Sequence, residues 1–408
     1  MSRLVPFLIF VVAFTLRVGV RLFRGRDDLL TNGYLQYLDL ARNWIGSGDF
    51  VVGTYVGPKA AFWPPIYPFF VTIFLKWDDT FVIFAILSAT VGSLTAVLAF
   101  LIGRDLFDRA TGILAGCCAG VYPYFVFHDA SIQDTAMFTC VTAASIWLLM
   151  QAQEKDKYRF WALSGIFLGL AALTRASILP YLFLLFPWLL IRHRIKALIV
   201  IAACVLTIAP WLIRNYYKIG VPVLTSQTGR FLWVAHNPST FMAYPLLSID
   251  DSEIIAWTQL SEEERASIES MGEVEQSDYF WKKGRDFVLG DPRLAIKQSF
   301  EKIWVGFSWN LSPHADGMKQ IGYFLSYFPI LVLGMFGVIL SLGRRKDMII
   351  IYLLFINFMI GTALFWAHTS HRMFLEIYLM IFAASAISWL WARCSKHRKK
   401  DMECSDYG

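Results

Sequence analysis

The chain has 408 residues, of which 57% are hydrophobic, 16% aromatic and only 17% charged, and its mean hydropathy is +0.51. A globular domain of this length cannot bury so much apolar surface, so the composition excludes an ordinary water-soluble fold and makes lipid the solvent for much of the chain. The net charge of +6 sits mostly in short basic loops between apolar stretches, and so implies no nucleic-acid partner.

Crossing a hydrocarbon core of ~30 Å takes about 20 predominantly apolar residues. In chain order ten stretches qualify: 4–23, 81–103, 111–127, 134–152, 160–173, 177–191, 197–213, 322–342, 347–366 and 373–392. The fifth and sixth are short and share a turn at Arg175. The predicted fold class is therefore all-α: a polytopic membrane protein of about ten transmembrane helices, with amphipathic helices on its outer face. Residues 1–392 read as one transmembrane domain with outer loops 24–80 and 214–321, and 393–408 as a basic cytoplasmic tail. The first stretch lacks a small-residue cleavage site and ends among arginines, so it reads as a retained anchor helix.

Orientation follows from the basic loops. Arg104 and Arg109; Lys155, Lys157 and Arg159; Arg192, Arg194 and Lys196; Arg344, Arg345 and Lys346; and the basic tail all fall on one side if the spans alternate. The positive-inside bias makes that side cytoplasmic, with both termini there. Arg17, Arg21, Arg24 and Arg26 form the exception, at the outer end of the first span. Cys117, Cys118, Cys140 and Cys204 lie inside spans and Cys394 and Cys404 in the tail, a distribution that suits neither a disulfide scaffold nor a metal cluster.

The two long outer segments carry the polar chemistry. In the first, 34–44 has apolar residues at three- and four-residue intervals and stops at Gly46-Ser47-Gly48, which predicts an interfacial helix. Trp63-Pro64-Pro65-Ile66-Tyr67-Pro68 then opens a second one, too short to span. The second segment begins with Pro210-Trp211-Leu212-Ile213-Arg214-Asn215, continues through Phe231-Leu232-Trp233 and His236-Asn237-Pro238, and becomes acidic and amphipathic from Asp250 to Gly290. Asp291-Pro292 reads as the cap of a helix that carries Lys297, Lys302, Trp304 and Trp309 back toward the membrane.

Ionisable groups at the edges of spans are costly and so are candidate functional residues. Arg17, Arg21 and Arg24 share one helix face, either snorkelling to headgroups or cradling a phosphate. Asp134, behind His128-Asp129, either caps the fourth span or aims a carboxylate into an outward cavity. Arg175 is either an interfacial anchor or a substrate group. Arg372 and Glu376 are four apart and can pair, while His368 and His371 could ligate a metal.

Taken in order, these motifs resemble the polytopic GT-C glycosyltransferases that use polyprenyl-phosphate sugars, the group that includes protein mannosyltransferases and the lipid A aminoarabinose transferase. The resemblance rests on Tyr37-Leu38-Asp39-Leu40-Ala41-Arg42-Asn43 with Gly46 and Gly48, on Pro64-Pro65-Ile66-Tyr67-Pro68, on Asp134-Thr135, on Leu173-Thr174-Arg175, on 210–215 and on His371-Arg372. One departure stands out. The family's usual acidic residue four positions before Tyr37 is here Gly33, between Asn32 and Tyr34, and the nearest upstream carboxylates are Asp27 and Asp28.

The resemblance implies transfer of a sugar from a polyprenyl-phosphate donor to a lipid, glycan or protein acceptor on the non-cytoplasmic face. Such a reaction needs a carboxylate to take the acceptor proton, for which Asp28 stands first with Asp27, Asp39 and Asp134 behind it. It also needs cations and polar groups for the departing lipid phosphate: Lys59, Tyr37, Arg175, Arg214, Asn215, Asn237, His371 and Arg372. No cofactor is required by the reading, and a divalent metal ion is left open. Besides the donor, the expected partners are membrane lipids and the acceptor. Length and the want of a retention signal point to a bacterial plasma membrane. Two rivals differ in class: a catalytically silent relative that binds lipid-linked sugar, which the residue at Gly33 keeps open, and a lipid or solute transporter, which should show internal repeats or broken helices in corresponding halves.

Overall fold

The computed structural model describes residues 4–31, 35–77, 81–315 and 317–405, so the expectation attached to Gly33 and its neighbours falls outside the described residues. Every one of the ten predicted spans is helical. They are α1 (Leu4–Thr31), α4 (Phe81–Leu106), the pair α5 (Arg109–Val121) and α6 (Pro123–Asp129), α7 (Thr135–Lys155), α8 (Tyr158–Thr174), α9 (Leu179–His193), α10 (Ile195–Ile219), α17 (Met318–Ser341), α18 (Arg345–Leu364) and α19 (Met373–Ser405). Among the described residues seven helical stretches are long and apolar enough to cross a membrane, and α5 with α6, bent by 52° at Pro123, makes an eighth. Tyr158–Thr174 and Met348–Leu364 are apolar but shorter. α8 is short because Lys157 and Arg175 bound its 17 residues, and at 1.5 Å per residue it still runs about 25 Å, close to a bilayer core. The chain is a multi-pass, all-α membrane protein.

The remaining helices lie at one end of the bundle. α2 (Leu35–Ser47) and α3 (Ile66–Trp77) fall where interfacial helices are predicted, and α11 (Thr228–Ala235), α12 (Thr240–Ala243), α13 (Ile249–Thr258), α14 (Glu262–Ser270), α15 (Glu273–Gly290) and α16 (Pro292–Phe307) fill the second outer segment. A hairpin not foreseen in the sequence, β1 (Val52–Thr54) antiparallel to β2 (Gly57–Lys59), links α2 to α3.

The outer loops fold on each other into one cap. The Glu273 carboxylate accepts from the backbone N–H of Ala60 and Ala61 at 2.7 and 2.9 Å and from the Ser226 hydroxyl. Arg230 grips Glu253 through both ends of its guanidinium, and the Tyr55 hydroxyl donates to the same carboxylate. The cap is sewn to the last span by Tyr244 Oη donating to the Ala367 carbonyl at 2.8 Å and Thr369 N–H donating to the Ser312 carbonyl at 3.2 Å.

At the bundle's outer rim a buried ion pair fixes α1. Arg17 Nε lies 2.6 Å from Asp129 Oδ2, and its remaining donors reach the carbonyls of Gly120 and Ala119 at 2.7 and 3.3 Å. Arg21 bonds the Ala130 carbonyl at 2.5 Å, and Arg24 bonds the Phe127 carbonyl at 3.0 Å. The pair has room only because residue 92 is glycine: a Cβ there would stand 2.1 Å from Asp129 Oδ2 and 2.4 Å from Arg17 Nε. Breaking a buried pair costs roughly 3–5 kcal/mol. Gly92→Ala should therefore lower the thermal unfolding midpoint of the protein in detergent by several degrees, while Ala at the open position Gly46 should leave it within a degree or so; equal midpoints for both variants would show that the rim pair does not hold the fold.

Within the cap a buried lysine stands in no ion pair among the described residues. Lys302, on α16, is fully buried; its ammonium lies 3.4 Å from the Ala235 carbonyl and 3.2 Å from His236 Nε2, and burial pushes it down to about 7. His236 beside it is pushed down to about 4 by burial and by the Lys302 charge. Between about 7 and the ordinary value of 10.5 the unfolded chain holds the lysine proton and the folded chain does not, so this group makes stability rise with pH across that window. Lys302→Met should raise the unfolding midpoint most near pH 7 and progressively less toward pH 10, read from melting curves at stepped pH. A gain that does not change with pH would refute the titration.

Candidate active site

The cap-side ends of α1, α6, α7 and α8 and the segment leading into α19 meet at the turn 128–135. Asp134 precedes α7 but makes no side-chain capping bond. Its carboxylate instead receives both ends of the Arg175 guanidinium, with Arg175 Nε 3.0 Å from Asp134 Oδ2, across 41 residues of sequence. Arg175 also donates to Thr135 Oγ1 at 3.1 Å and lies over the Phe138 ring, 5.2 Å from its centroid. This contact requires α7 and α8 to run antiparallel with their outer ends level, as alternating spans demand.

Around that pair the half-buried His371 has Arg175, His368 and His128 as its charged or titratable neighbours and a bond to the backbone of Trp366. The half-buried His128 ring sits 2.7 Å from Gln133 Oε1 through Nδ1 and packs edge-on against Tyr124, whose hydroxyl donates to Thr369 Oγ1 at 2.8 Å. From the cap side the Tyr67 hydroxyl bonds the Gln133 backbone next to Asp134, and Tyr37 packs on Tyr67 and Trp63 at 4.8 and 5.5 Å. His368 is a buried fixture: its Nε2 accepts from the Ile249 N–H at 3.3 Å, Nδ1 meets Ser312 Oγ at 3.2 Å, and burial pushes it down to about 4.

Of the residues singled out from sequence, the structure thus brings Asp134, Arg175, His371 and, through Tyr67, Tyr37 to one place. Asp28 lies on the far flank of the same turn, gripped by Arg21 at 3.0 Å and Arg24 at 2.7 Å, and Arg24 reaches Ser131 Oγ at 3.1 Å. Asp27 is exposed, and the exposed Asp39 pairs at 3.5 Å with Arg42. Others are engaged in holding the cap. Arg214 donates to the carbonyls of Ala60 and Phe50 at 2.5 and 3.0 Å and to Asn215 Oδ1 at 2.8 Å, while Asn215 holds the Val223 carbonyl at 2.7 Å. Lys59 is buried against Gln276, its ammonium depressed by burial with Glu273 working against that shift. Asn237 closes its own turn, donating to the Trp233 carbonyl at 2.8 Å and accepting from the Ser239 N–H at 2.7 Å. Arg372, next to His371, turns inward to Glu376 at 3.0 Å, the Gly306 carbonyl at 2.5 Å and the Tyr323 hydroxyl. Among the described residues no three His, Cys, Asp or Glu side chains stand together as a metal site.

Sequence reasoning passed over Tyr67 and Gln133. Tyr67 lies within the proline-rich signature and Gln133 directly before Asp134, so adjacency to a motif was the available signal.

An apolar groove of about 390 Å³ runs between α9, α10 and the loop 222–225, lined by Ala176, Leu179, Ile208, Leu212, Val223 and Leu224. Its lining begins one residue from Arg175.

The model of the family described as dolichyl-phosphate-mannose-protein mannosyltransferase matches residues 63–213, the stretch from Trp63 through Asp134 and Arg175 to the end of the groove-forming part of α10. None of the curated proteins matches the sequence. Among solved structures, the Archaeoglobus fulgidus oligosaccharyltransferase in its apo form superposes at a TM-score of 0.58 with 14% identity, covering 97% of this chain and 52% of that one. The same archaeal enzyme, AglB, with an inhibitory peptide and a dolichol-phosphate gives 0.57 at 13% identity, covering 98% and 52%. ArnT from Cupriavidus metallidurans gives 0.40 at 14% identity, covering 86% and 72%. This chain spans about half the length of the archaeal enzyme it matches. The resemblance read from the motifs therefore holds: the chain is a polytopic membrane protein of the GT-C glycosyltransferase fold, carrying the protein-mannosyltransferase signature over residues 63–213.

Proposed function

We propose that this chain is a membrane glycosyltransferase that moves a hexosyl or pentosyl unit from a polyprenyl-phosphate donor to a lipid, glycan or protein acceptor on the cap side of the membrane. The observation that carries the reading is the Asp134–Arg175 pair at the cap-side ends of two spans, together with an apolar groove whose lining includes the next residue, Ala176. A groove lined by leucine, isoleucine and valine suits an isoprenoid tail, and the Arg175 guanidinium, one residue along the chain from the groove's Ala176, suits a phosphate. The archaeal enzyme of like fold has been solved with dolichol-phosphate, which is in keeping with a lipid-borne donor.

In this reading the acceptor hydroxyl attacks the anomeric carbon from the side opposite the lipid phosphate. Asp134 takes the proton, and Arg175, the partner that orients this carboxylate, also faces the charge that develops on the leaving phosphate. Asp28 stands behind Asp134 as the alternative base, on the same turn but gripped by Arg21 and Arg24. His371 supplies a further polar wall, and Tyr37 with Tyr67 positions the turn from the cap side. Arg214, Asn215, Asn237, Lys59 and Arg372 act by holding cap and groove in register. The archaeal enzyme has also been solved with zinc and sulfate. The described residues here do not fit a metal cluster, and no step of the proposal passes through one.

The test is transfer from a panel of radiolabelled polyprenyl-phosphate sugars by the purified protein. Asp134→Asn should cut turnover by at least ~10²-fold with donor binding kept, and Arg175→Met should weaken donor binding itself. Full activity in Asp134→Asn with loss in Asp28→Asn would move the base upstream. Donor binding without transfer from any sugar by wild type would favour the silent relative, whose supporting observation is Gly33 in the family's acidic slot.

The cap is assigned to the non-cytoplasmic side of a plasma (inner) membrane, with both termini cytoplasmic, because the basic loops gather at the opposite end of the bundle. In a chain stripped of its own cysteines, a single cysteine at the exposed cap residue Glu263 should react with an impermeant maleimide on intact cells and one at the exposed Lys157 only after lysis. The reverse pattern would invert the assignment.

A further inference from the structure

α16 wears its residues inside out. On the face turned to the protein are Ala295, Gln298, Lys302 and Gly306, with Lys302 fully buried, while the opposite side presents Ile296, Phe300 and Trp304 at 59%, 69% and 65% exposure. These three recur at four-residue spacing and so make one continuous stripe. In water an amphipathic helix buries its apolar stripe and solvates its lysines, so this helix has the wrong sense for a surface bathed only in water.

Its neighbours give its depth. Ser299 Oγ donates to the Ala363 carbonyl near the outer end of α18, and seven residues on Gly306 lies against Phe358 and Thr362 while the Phe307 ring meets Phe358 at 5.2 Å. α16 therefore descends beside the last two turns of a membrane helix. On its other side Trp304 packs against Trp309 at 5.7 Å and Trp309 against Phe328 at 5.7 Å. Phe328 is ten residues into α17, about 15 Å along that helix from its start at Met318. The lower half of α16 thus sits level with the apolar part of a span, whose own outward residues Ile321, Leu325 and Val332 are exposed at 53%, 65% and 50%. Charge follows the same gradient: Arg293, Lys297 and Glu301, the last two within 3.7 Å of each other, occupy the upper turns, and below Glu301 the exposed position is Trp304.

We infer that α16 is a tilted helix partly sunk in the leaflet on the cap side, with Phe300 and Trp304 among lipid acyl chains and Arg293 and Lys297 at headgroup level. The occupant of the stripe is the bilayer, since the stripe is continuous with the exposed face of α17. Because Arg372 holds the Gly306 carbonyl at 2.5 Å, the depth of α16 is coupled to the segment that carries His371. The inference depends on α17 and α18 crossing the membrane and not on the transferase reading.

The experiment places single spin labels at 297, 300 and 304, and at 263 as a water reference, in the cysteine-stripped full chain reconstituted in vesicles of phosphatidylcholine with phosphatidylglycerol. Collision with oxygen should rise, and collision with a water-soluble nickel chelate should fall, in the order 297, 300, 304. Nickel accessibility at 300 and 304 equal to that at 263 would overturn the proposal, and so would exclusion of both reagents, which would mean that protein covers the stripe. All labelled sites are exposed, so folding is checked by a melting curve matching that of the unlabelled chain.

Discussion

A guanidinium at the edge of a bilayer must be met inside the protein, and that demand organises the outer rim of this bundle. Arg17, Arg21 and Arg372 are almost wholly buried, and each directs donors to a carboxylate and to backbone carbonyls of other segments: 119–120 and 129 for Arg17, 130 and 28 for Arg21, whose Nε is left without a partner among the described residues, and 306, 308 and 376 for Arg372. A buried, half-paired charge is far more costly than a missing contact. The segments so held cannot drift, and the turn 128–135 is one of them. Asp134 and Arg175 meet because the turn that presents Asp134 is clamped from behind by α1.

The cap uses the same device in a wetter setting. Arg214 ties α10 to the loop before α3 through carbonyls of Phe50 and Ala60, and Glu273 accepts from the backbone N–H groups of Ala60 and Ala61. That loop continues into Trp63 and Tyr67, and Tyr67 reaches the turn at Gln133. Cap and rim are therefore mechanically one object, in which buried charged groups serve to fix backbone segments in place.

The spans were legible in the sequence because hydropathy over about 20 residues is a one-dimensional property. Family order was legible too, through Pro64-Pro65, Asp134 and Arg175. Partnership was not. Arg17, Arg21 and Arg24 share a face, as spacing required, but whether that face meets headgroups, a phosphate or a neighbouring turn depends on carbonyl oxygens that leave no mark in the sequence. For Arg214 and Asn237, named as ligand groups from the sequence, the backbone carbonyls they hold are equally invisible there. For Asp134, read from the sequence as a cap or a cavity carboxylate, the partner is Arg175, and residues 41 apart show no common periodicity.

α16 shows how solvent, more than propensity, decides which face of a helix is inside. Its sequence would be read in water as a helix burying Ile296, Phe300 and Trp304 and exposing Lys302; the structure reverses this, placing Lys302 under the helix with a carbonyl and an imidazole as its polar contacts. The reversal is consistent only if the medium outside is apolar where the stripe lies, so that turning Lys302 outward would cost as much as burying it while giving up the aromatic contacts with lipid. A lysine driven down to about 7 is then the consequence of that choice: inside, it can shed its proton at neutral pH, an adjustment that a tryptophan stripe forced against the polar interior could not make.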